Sequence, residues 1–423
     1  MITRINTRGM ACLIVAAGTL LVTPLFAQQP DGLNLPQGFH ATVVAEGLGA
    51  IRHIAVRSNN DIYASTGRGK LAPGTGIIAL HQDANHKVDQ TERFGASAGT
   101  GIRIHGSSLF VADATKIYRY NLQGNELVPT GPPLVVVDNI PESRAANHAI
   151  ALDEKGDLYV SIDGSANICT APDTPANTQP VGLKPCPDLG VRAGIWRFSA
   201  AKSNQDFAKG EQIATGVRDL NAMDIAPDGT VYGFMHGRDT TSRQFPAIVS
   251  NSDEANIADE LHVVAKGADF GWPYTYYDGA RNVRLTAPEY GGDGKTAVTG
   301  KYSQPVFTLQ AKRAAPLDLL FYQGRNFPAS YRGGMFVVLH GSGGQEISGG
   351  KTGDDVIFVP RGSDGKFGGA TVFASGFAGS PQPGTNGRIT PAYRVTGAAL
   401  GPDGSLYIAD GSKGRIWRIA YGQ

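Results

Sequence analysis

The sequence predicts an all-β chain folded as a six-bladed β-propeller. Three observations carry this prediction. A hairpin with an aromatic residue in its second strand recurs six times. Glycine is abundant, at 56 of 423 residues, while long amphipathic helical periods are few, as a fold rich in tight turns requires. Finally, a strand-like segment near the start, FHATVVAEG, and one at the end, GRIWRIAYG, have the patterns to complete one blade together.

From the N-terminus, Arg4 and Arg8 precede the apolar run MACLIVAAGTLLVTPLFA, which ends in a small residue before QQP. This has the form of a secretory signal cut after Ala27. The run contains Gly, Thr and Pro and is short for a membrane span, although an uncleaved anchor is the alternative. The division is therefore a signal peptide over 1–27 and a single propeller domain over 28–423, exported to the periplasm or secreted, with no stable membrane span. The formal charge of the chain is +1, and removing the two arginines brings it to −1. Such a balance gives no basic surface for nucleic acid.

Cys12 leaves with the signal, and Cys169 and Cys186 flank a Pro-rich loop, TAPDTPANTQPVGLKP. An even pair in an oxidising compartment predicts a disulfide. Two cysteines alone make no structural zinc site, and no C-x-x-C-H motif is present to attach a haem.

The hairpins follow. Their second strands are marked by NNDIYAS at Tyr63, GSSLFVAD at Phe110, KGDLYVS at Tyr159, PDGTVYGF at Tyr232, YRGGMFVVL at Phe336 and PDGSLYIAD at Tyr407. Apolar strands such as RHIAV, AIALD, AMDIA and TGAAL precede them. Third strands follow as GIIALH, KIYRYN, GIWRFS, LHVVA, DVIFVP and GRIWRI. Six small antiparallel sheets of this kind close into a propeller, which protects their edges. A large β-sandwich or two all-β domains are the alternatives.

In an antiparallel hairpin the start of the first strand lies beside the end of the second. Six hairpins around an axis bring all these ends to one mouth. The first strands start at Arg52 and His53, Gly101, His148, Arg218 with Asn221, Asp318, and Arg394. The second strands end at Thr66 with Arg68, Asp113, Asp163, His236, His340 and Asp410. The longest insertion, from HGRDTTSRQF to GWPYTYYDGARN, leaves from the same face. Any one of these residues is accounted for by capping a turn. As a set they predict a ligand site, and Arg218 with Arg394 predicts an anionic ligand. Trp272, Tyr274, Tyr276 and Tyr277 either pack the insertion or stack on a sugar.

The motifs NHAIALDEKGDLYVSIDGSANIC, ATGVRDLNAMDIAPDG, HGRD, ADELHVVAKGADFGWP and YRVTGAALGPDGSLYIADGSKGRIWRI occur in this order. Together they resemble the soluble quinoprotein glucose and sorbosone dehydrogenases, closer to the sorbosone or pyranose dehydrogenase branch, over roughly residues 35 to 421. That family consists of six-bladed propellers binding pyrroloquinoline quinone and calcium. The resemblance implies His148 as the general base for a sugar hydroxyl, Asp163 as the carboxylate orienting it, and Arg218 as the contact to the quinone oxygens. It implies backbone carbonyls of Gly237 and Arg238 as calcium ligands, and Arg394 as the partner of the cofactor's carboxylates. His236, His340 and Thr396 stand at cofactor positions where the glucose enzymes carry Gln, Lys and a second Arg. Fewer fixed positive groups weaken the hold on a tricarboxylate unless His340, Arg68 or Lys413 substitutes.

The implied reaction is oxidation of an aldose or related aldehyde, with an external electron acceptor (a quinone, cytochrome or dye) as partner. It needs a base for the O–H proton and an acceptor for the hydride. A neutral imidazole suits the first task, and calcium can polarise a quinone carbonyl. No strand–GxGxxG–helix fingerprint points to a nicotinamide. A calcium-dependent lactonase-type hydrolase and a propeller that only binds glycan or protein are the competing readings, which fold alone does not separate.

Overall fold

The computed structural model describes residues 26–29, 31–66, 75–95, 99–142, 147–171, 179–309, 314–341, 353–379, 382–383 and 389–422. The expected signal segment lies outside the described residues except at its end, where Phe26–Gln28 pairs with Asn34–Pro36. Arg68 also lies outside them. Among the described residues no helix is long and apolar enough to cross a membrane.

Six sheets of four or five strands form the six expected blades, antiparallel throughout except for a short parallel fifth strand in two of them. The first blade runs outward through Ile51–Val56, Ile62–Thr66, Ile77–Gln82 and Val88–Phe94. The innermost strands of the next five are Ile102–His105, Ile150–Leu152, Ala222–Ile225, Pro316–Phe321 and Val395–Leu400. These six strands touch in a ring, each on its neighbours. The outermost strand of the last blade is Phe39–Ala45, paired with Ile416–Tyr421 from Phe39↔Tyr421 to Val43↔Trp417. Both ends of the domain thus belong to one sheet, and the ring has no free inner edge.

Each blade is covered on both faces by its neighbours, so its inner strands read as continuous apolar runs rather than as alternation. MFVVL at Met335–Leu339 is buried throughout, whereas the outer VDQTERF at Val88–Phe94 is largely exposed. The core is divided accordingly into six apolar clusters, one between each pair of successive blades. The aromatic markers Tyr63, Phe110, Tyr159, Tyr232, Phe336 and Tyr407 are all buried in them. Burying such a ring stabilises the fold by roughly 1.5–3 kcal/mol.

Near the axis the blades crowd. A Cβ on Gly101 would stand 2.3 Å from the His148 carbonyl oxygen, and one on Gly397 would stand 2.6 Å from that of Arg52. The axis is crossed by an ion pair. Arg103 of the second blade donates from Nη2 to Asp318 Oδ1 of the fifth at 2.9 Å, and to the Met223 carbonyl of the fourth at 3.3 Å. The other Asp318 oxygen accepts from Ala398 N of the sixth at 3.0 Å.

The long insertion after Met235 carries two single-turn helices, Thr241–Gln244 and Asn251–Glu254, and a hairpin of Thr275–Asp278 with Val283–Thr286. Two buried ion pairs tie it down, Arg238 to Glu289 at 2.9 Å and Arg284 to Glu260. The predicted disulfide is present: Cys169 and Cys186 are bonded, with Cα atoms 6.1 Å apart.

Candidate active site

On the face from which the insertion leaves, the ends of the blades enclose a cavity of about 400 Å³. Arg218, His236, Gly237, Arg238 and Arg394 line it, so five of the nine residues implied by the sequence meet there, with Asp239 and Asp259 beside them.

Arg218 stands before the inner strand of the fourth blade. Its Nε donates to Asn167 Oδ1 at 2.9 Å, Nη1 to the Gly237 carbonyl at 2.6 Å and Nη2 to Asp239 at 2.6 Å. Asn167 is fixed in turn: Asp239 N donates to its Oδ1 at 3.0 Å, and its Nδ2 donates to the Asp239 carbonyl at 2.6 Å. Trp272 Nε1 donates to its backbone carbonyl at 3.1 Å, so this tryptophan packs the insertion.

His236 ends the second strand of the same blade. Its Nε2 lies 2.8 Å from the Pro316 carbonyl and its Nδ1 3.6 Å from Asp219. Burial alone would lower the imidazole pKa, but the Asp219 carboxylate outweighs it and raises it to about 9. His236 is therefore a cation at neutral pH. Conversely, burial opposes ionisation of Asp219, yet His236 and Arg218 hold its carboxyl below the usual range. Asp259 accepts from Gly237 N at 2.8 Å, and burial pushes its carboxyl up to about 6.

Across the cavity Arg394 donates from Nη2 to the carbonyls of His340 and Gly341 at 3.0 and 2.8 Å. Asp354 lies 3.8 Å from its Nε. His340 points its Nδ1 at the Val395 carbonyl at 3.0 Å, and burial, reinforced by Arg394 and Arg52, lowers its pKa to about 3. Its ring is thereby held in the neutral form. Lys413 lies over the Tyr393 ring, 4.9 Å from its centroid.

The other expected residues are placed differently. His148 is fully buried and faces carbonyl oxygens with both ring nitrogens, Nδ1 to Ser161 and Nε2 to Ala114, each at 3.1 Å. No hydrogen bond joins it to Asp163, whose Oδ1 accepts from Leu220 N at 2.9 Å. Burial and the neighbouring Asp219 push the Asp163 carboxyl well above its usual value. Thr396 is buried, its hydroxyl 3.3 Å from the Ile51 and Ala409 carbonyls. Arg238 donates from Nη2 to the buried Glu289. Asp113 and Asp410 bond the backbone N–H groups of their own turns, as local capping would have them do.

Sequence reasoning missed Asp219, Asn167 and Asp259. Asp219 had a signal, since it directly follows Arg218 at the start of a first strand. Asn167 and Asp259 had none, because their partners are distant in the chain.

Arg218, Arg394 and His236 are groups that suit the carboxylates of pyrroloquinoline quinone, and Asp239, Glu254 and Asp259 stand in the same wall. The calcium set fits less well. The Gly237 carbonyl already faces the Arg218 guanidinium, and among the described residues no three His, Cys, Asp or Glu side chains gather to hold a metal.

Solved structures share this fold. The holo pyranose dehydrogenase PQQ domain from Coprinopsis cinerea is 17% identical with a TM-score of 0.69, over 93% of this chain and 98% of that one. The calcium structure of the Trichoderma reesei family AA12 enzyme is 18% identical with a TM-score of 0.68, over 95% and 100%. The Escherichia coli soluble aldose sugar dehydrogenase, in its apo form, is 16% identical with a TM-score of 0.57, over 90% and 99%. Among curated sequences, an uncharacterized protein of Borreliella burgdorferi is 30% identical over 140 residues, which are 33% of this chain and 32% of that protein. The chain therefore matches about a third of that relative's length. The family model described as TrAA12-like matches residues 33–422, nearly the whole described propeller, and the chain accordingly belongs to that family of pyrroloquinoline quinone-dependent pyranose dehydrogenases.

Proposed function

We propose that the mouth holds pyrroloquinoline quinone as a polyanion and that a pyranose or related aldose is oxidised against it. The carrying observation is that Arg218, Arg394 and the cationic His236 line one cavity. Arg394 and His236 present charge to the carboxylates, and Arg218, clasped by Asn167, Gly237 and Asp239, presents a fixed dipole and charge to the quinone oxygens. When bound, the cofactor supplies the two-electron acceptor for the hydride.

His148 is the proposed proton acceptor. Burial lowers its pKa, so the ring is neutral at pH 7, as a base must be. Two carbonyls at 3.1 Å cannot both be satisfied by a neutral ring, which carries one N–H. One nitrogen therefore faces an oxygen unfavourably, and releasing Nε2 from Ala114 would free a lone pair to accept a proton. Asp163, bonded to Leu220 N, acts through the backbone of the neighbouring blade rather than on the imidazole.

Calcium, if bound, would polarise a quinone carbonyl. Its expected role draws on the family resemblance and on the calcium structure of the T. reesei enzyme. The disulfide supports an oxidising compartment, periplasmic or extracellular, where electrons pass to an external acceptor.

The test adds pyrroloquinoline quinone to the purified chain, with and without calcium, and follows dye reduction over a panel of pyranoses. Quinone-dependent turnover is expected. The base assignment is tested by single-turnover reduction of bound quinone in His148→Ala, which should be slower by roughly 10²–10⁴-fold. A wild-type rate in that variant would reject His148.

A further inference from the structure

A second cavity, also of about 400 Å³, opens between the disulfide-closed loop and the insertion hairpin. Its walls include Tyr274, Tyr290 and Tyr302, and its rim carries Lys184 and Lys301. The rings are anchored from behind. The Tyr274 hydroxyl accepts from Cys186 N at 2.9 Å, and that of Tyr290 donates to the Leu183 carbonyl at 3.1 Å. The two rings meet edge-on, 4.9 Å between centroids. Cys169, Cys186, Ala193 and Trp272 form a separate apolar cluster under Tyr274, and Tyr290 packs on another of Ile257, Tyr276, Leu285 and Ala287. Half-buried tyrosines fixed in this way offer broad faces with polar tips to a ligand.

Both lysines are exposed, each near an aromatic ring: Lys184 is 5.9 Å from the Tyr274 centroid and Lys301 5.3 Å from that of Tyr302. Neither makes a salt bridge among the described residues. Asp269 is near enough to Lys301 to feel its charge, though no salt bridge joins them, and burial raises the Asp269 carboxyl. The cavity therefore combines aromatic faces with exposed ammonium groups that form no salt bridge among the described residues. Stacking faces suit the apolar side of a pyranose ring, and ammonium groups suit a carboxylate.

We propose that this cavity binds an acidic saccharide, with a uronate ring on the tyrosine faces and its carboxylate on Lys184 and Lys301. The site is separate from the mouth and does not depend on the quinone reading. Trp272, in the apolar cluster against which Tyr274 packs, donates to the Asn167 carbonyl, and Asn167 holds Arg218 at the mouth.

The test is calorimetric titration of the full chain with digalacturonate, using cellobiose as the neutral comparator. Digalacturonate is expected to bind, to weaken roughly tenfold for each of Lys184→Ala and Lys301→Ala, and to weaken further as salt is raised. Cellobiose should bind far more weakly. Because the mouth is also cationic, Arg394→Ala serves as the control and should leave the affinity unchanged. No binding by the intact chain, equal affinity for cellobiose, or loss with Arg394→Ala but not with the lysine variants would each overturn the proposal. The lysines are exposed, so thermal melts of their variants should match the wild type.

Discussion

Replacing His236 by Gln tests the electrostatics of the mouth without removing its shape. Gln can still donate to the Pro316 carbonyl, which His236 faces at 2.8 Å, but it carries no charge to Asp219. The imidazole pKa rises from 6.5 to about 9 on folding, because Asp219 outweighs burial. At 1.36 kcal/mol per unit this amounts to about 3 kcal/mol of stability. A raised pKa contributes fully below the unfolded value and is lost as pH rises through the folded one. His236 therefore stabilises the fold at pH 6.5 and below, and that contribution declines between pH 6.5 and 9 and is gone above it. The carboxyls of Asp224, Asp259 and Asp355, raised by burial to about 6, 6 and 7, act mostly below this window. Asp224 and Asp355 are common to both proteins, whereas Asp259 loses the lowering influence of His236 and rises further in the variant. The assay is urea unfolding of wild type and His236→Gln from pH 6 to 10. The gap should be about 3 kcal/mol at pH 6.5 and close to zero at pH 10. A gap independent of pH would refute the assigned charge state of His236.

Two further outcomes concern the scaffold. Arg103→Ala leaves Asp318 buried without its cationic partner and should cost about 3–5 kcal/mol in urea unfolding, whereas exchanging the exposed Lys155 should not. Replacing Cys169 and Cys186 by Ala removes a cross-link spanning 17 residues and should lower stability by about 3 kcal/mol, read from the same unfolding curves. Unchanged midpoints would contradict either reasoning.

The blades were legible because each is a local object. PDGSLYIAD forms a turn and a strand from its own residues, and the burial of Tyr407 follows from a pattern that repeats six times. The disulfide and the pairing of FHATVVA with IWRIAY were legible for the same reason, since each is a composition match with few alternatives. Backbone position also put Arg218, His236 and Arg394 at the mouth. Side-chain direction was not legible. His148 starts a first strand as expected, but its ring turns to the carbonyls of Ala114 and Ser161, one of them in another blade. Thr396 turns to Ile51 across the closure of the ring. Charge state was equally hidden. His236 and His340 look alike in sequence, yet Asp219 makes one a cation, while burial and two arginines keep the other neutral.

The central claim is that the cations of the mouth hold the quinone, and its most direct measurement is the dissociation constant of pyrroloquinoline quinone for wild type and Arg394→Ala. Arg394 lines the cavity and holds itself there through the His340 and Gly341 carbonyls. Losing a charged hydrogen-bond donor costs about 1.5–3 kcal/mol, so the constant should rise roughly ten- to hundredfold, followed by absorbance titration at pH 7. Tight binding by the wild type with an unchanged constant in Arg394→Ala would contradict the account.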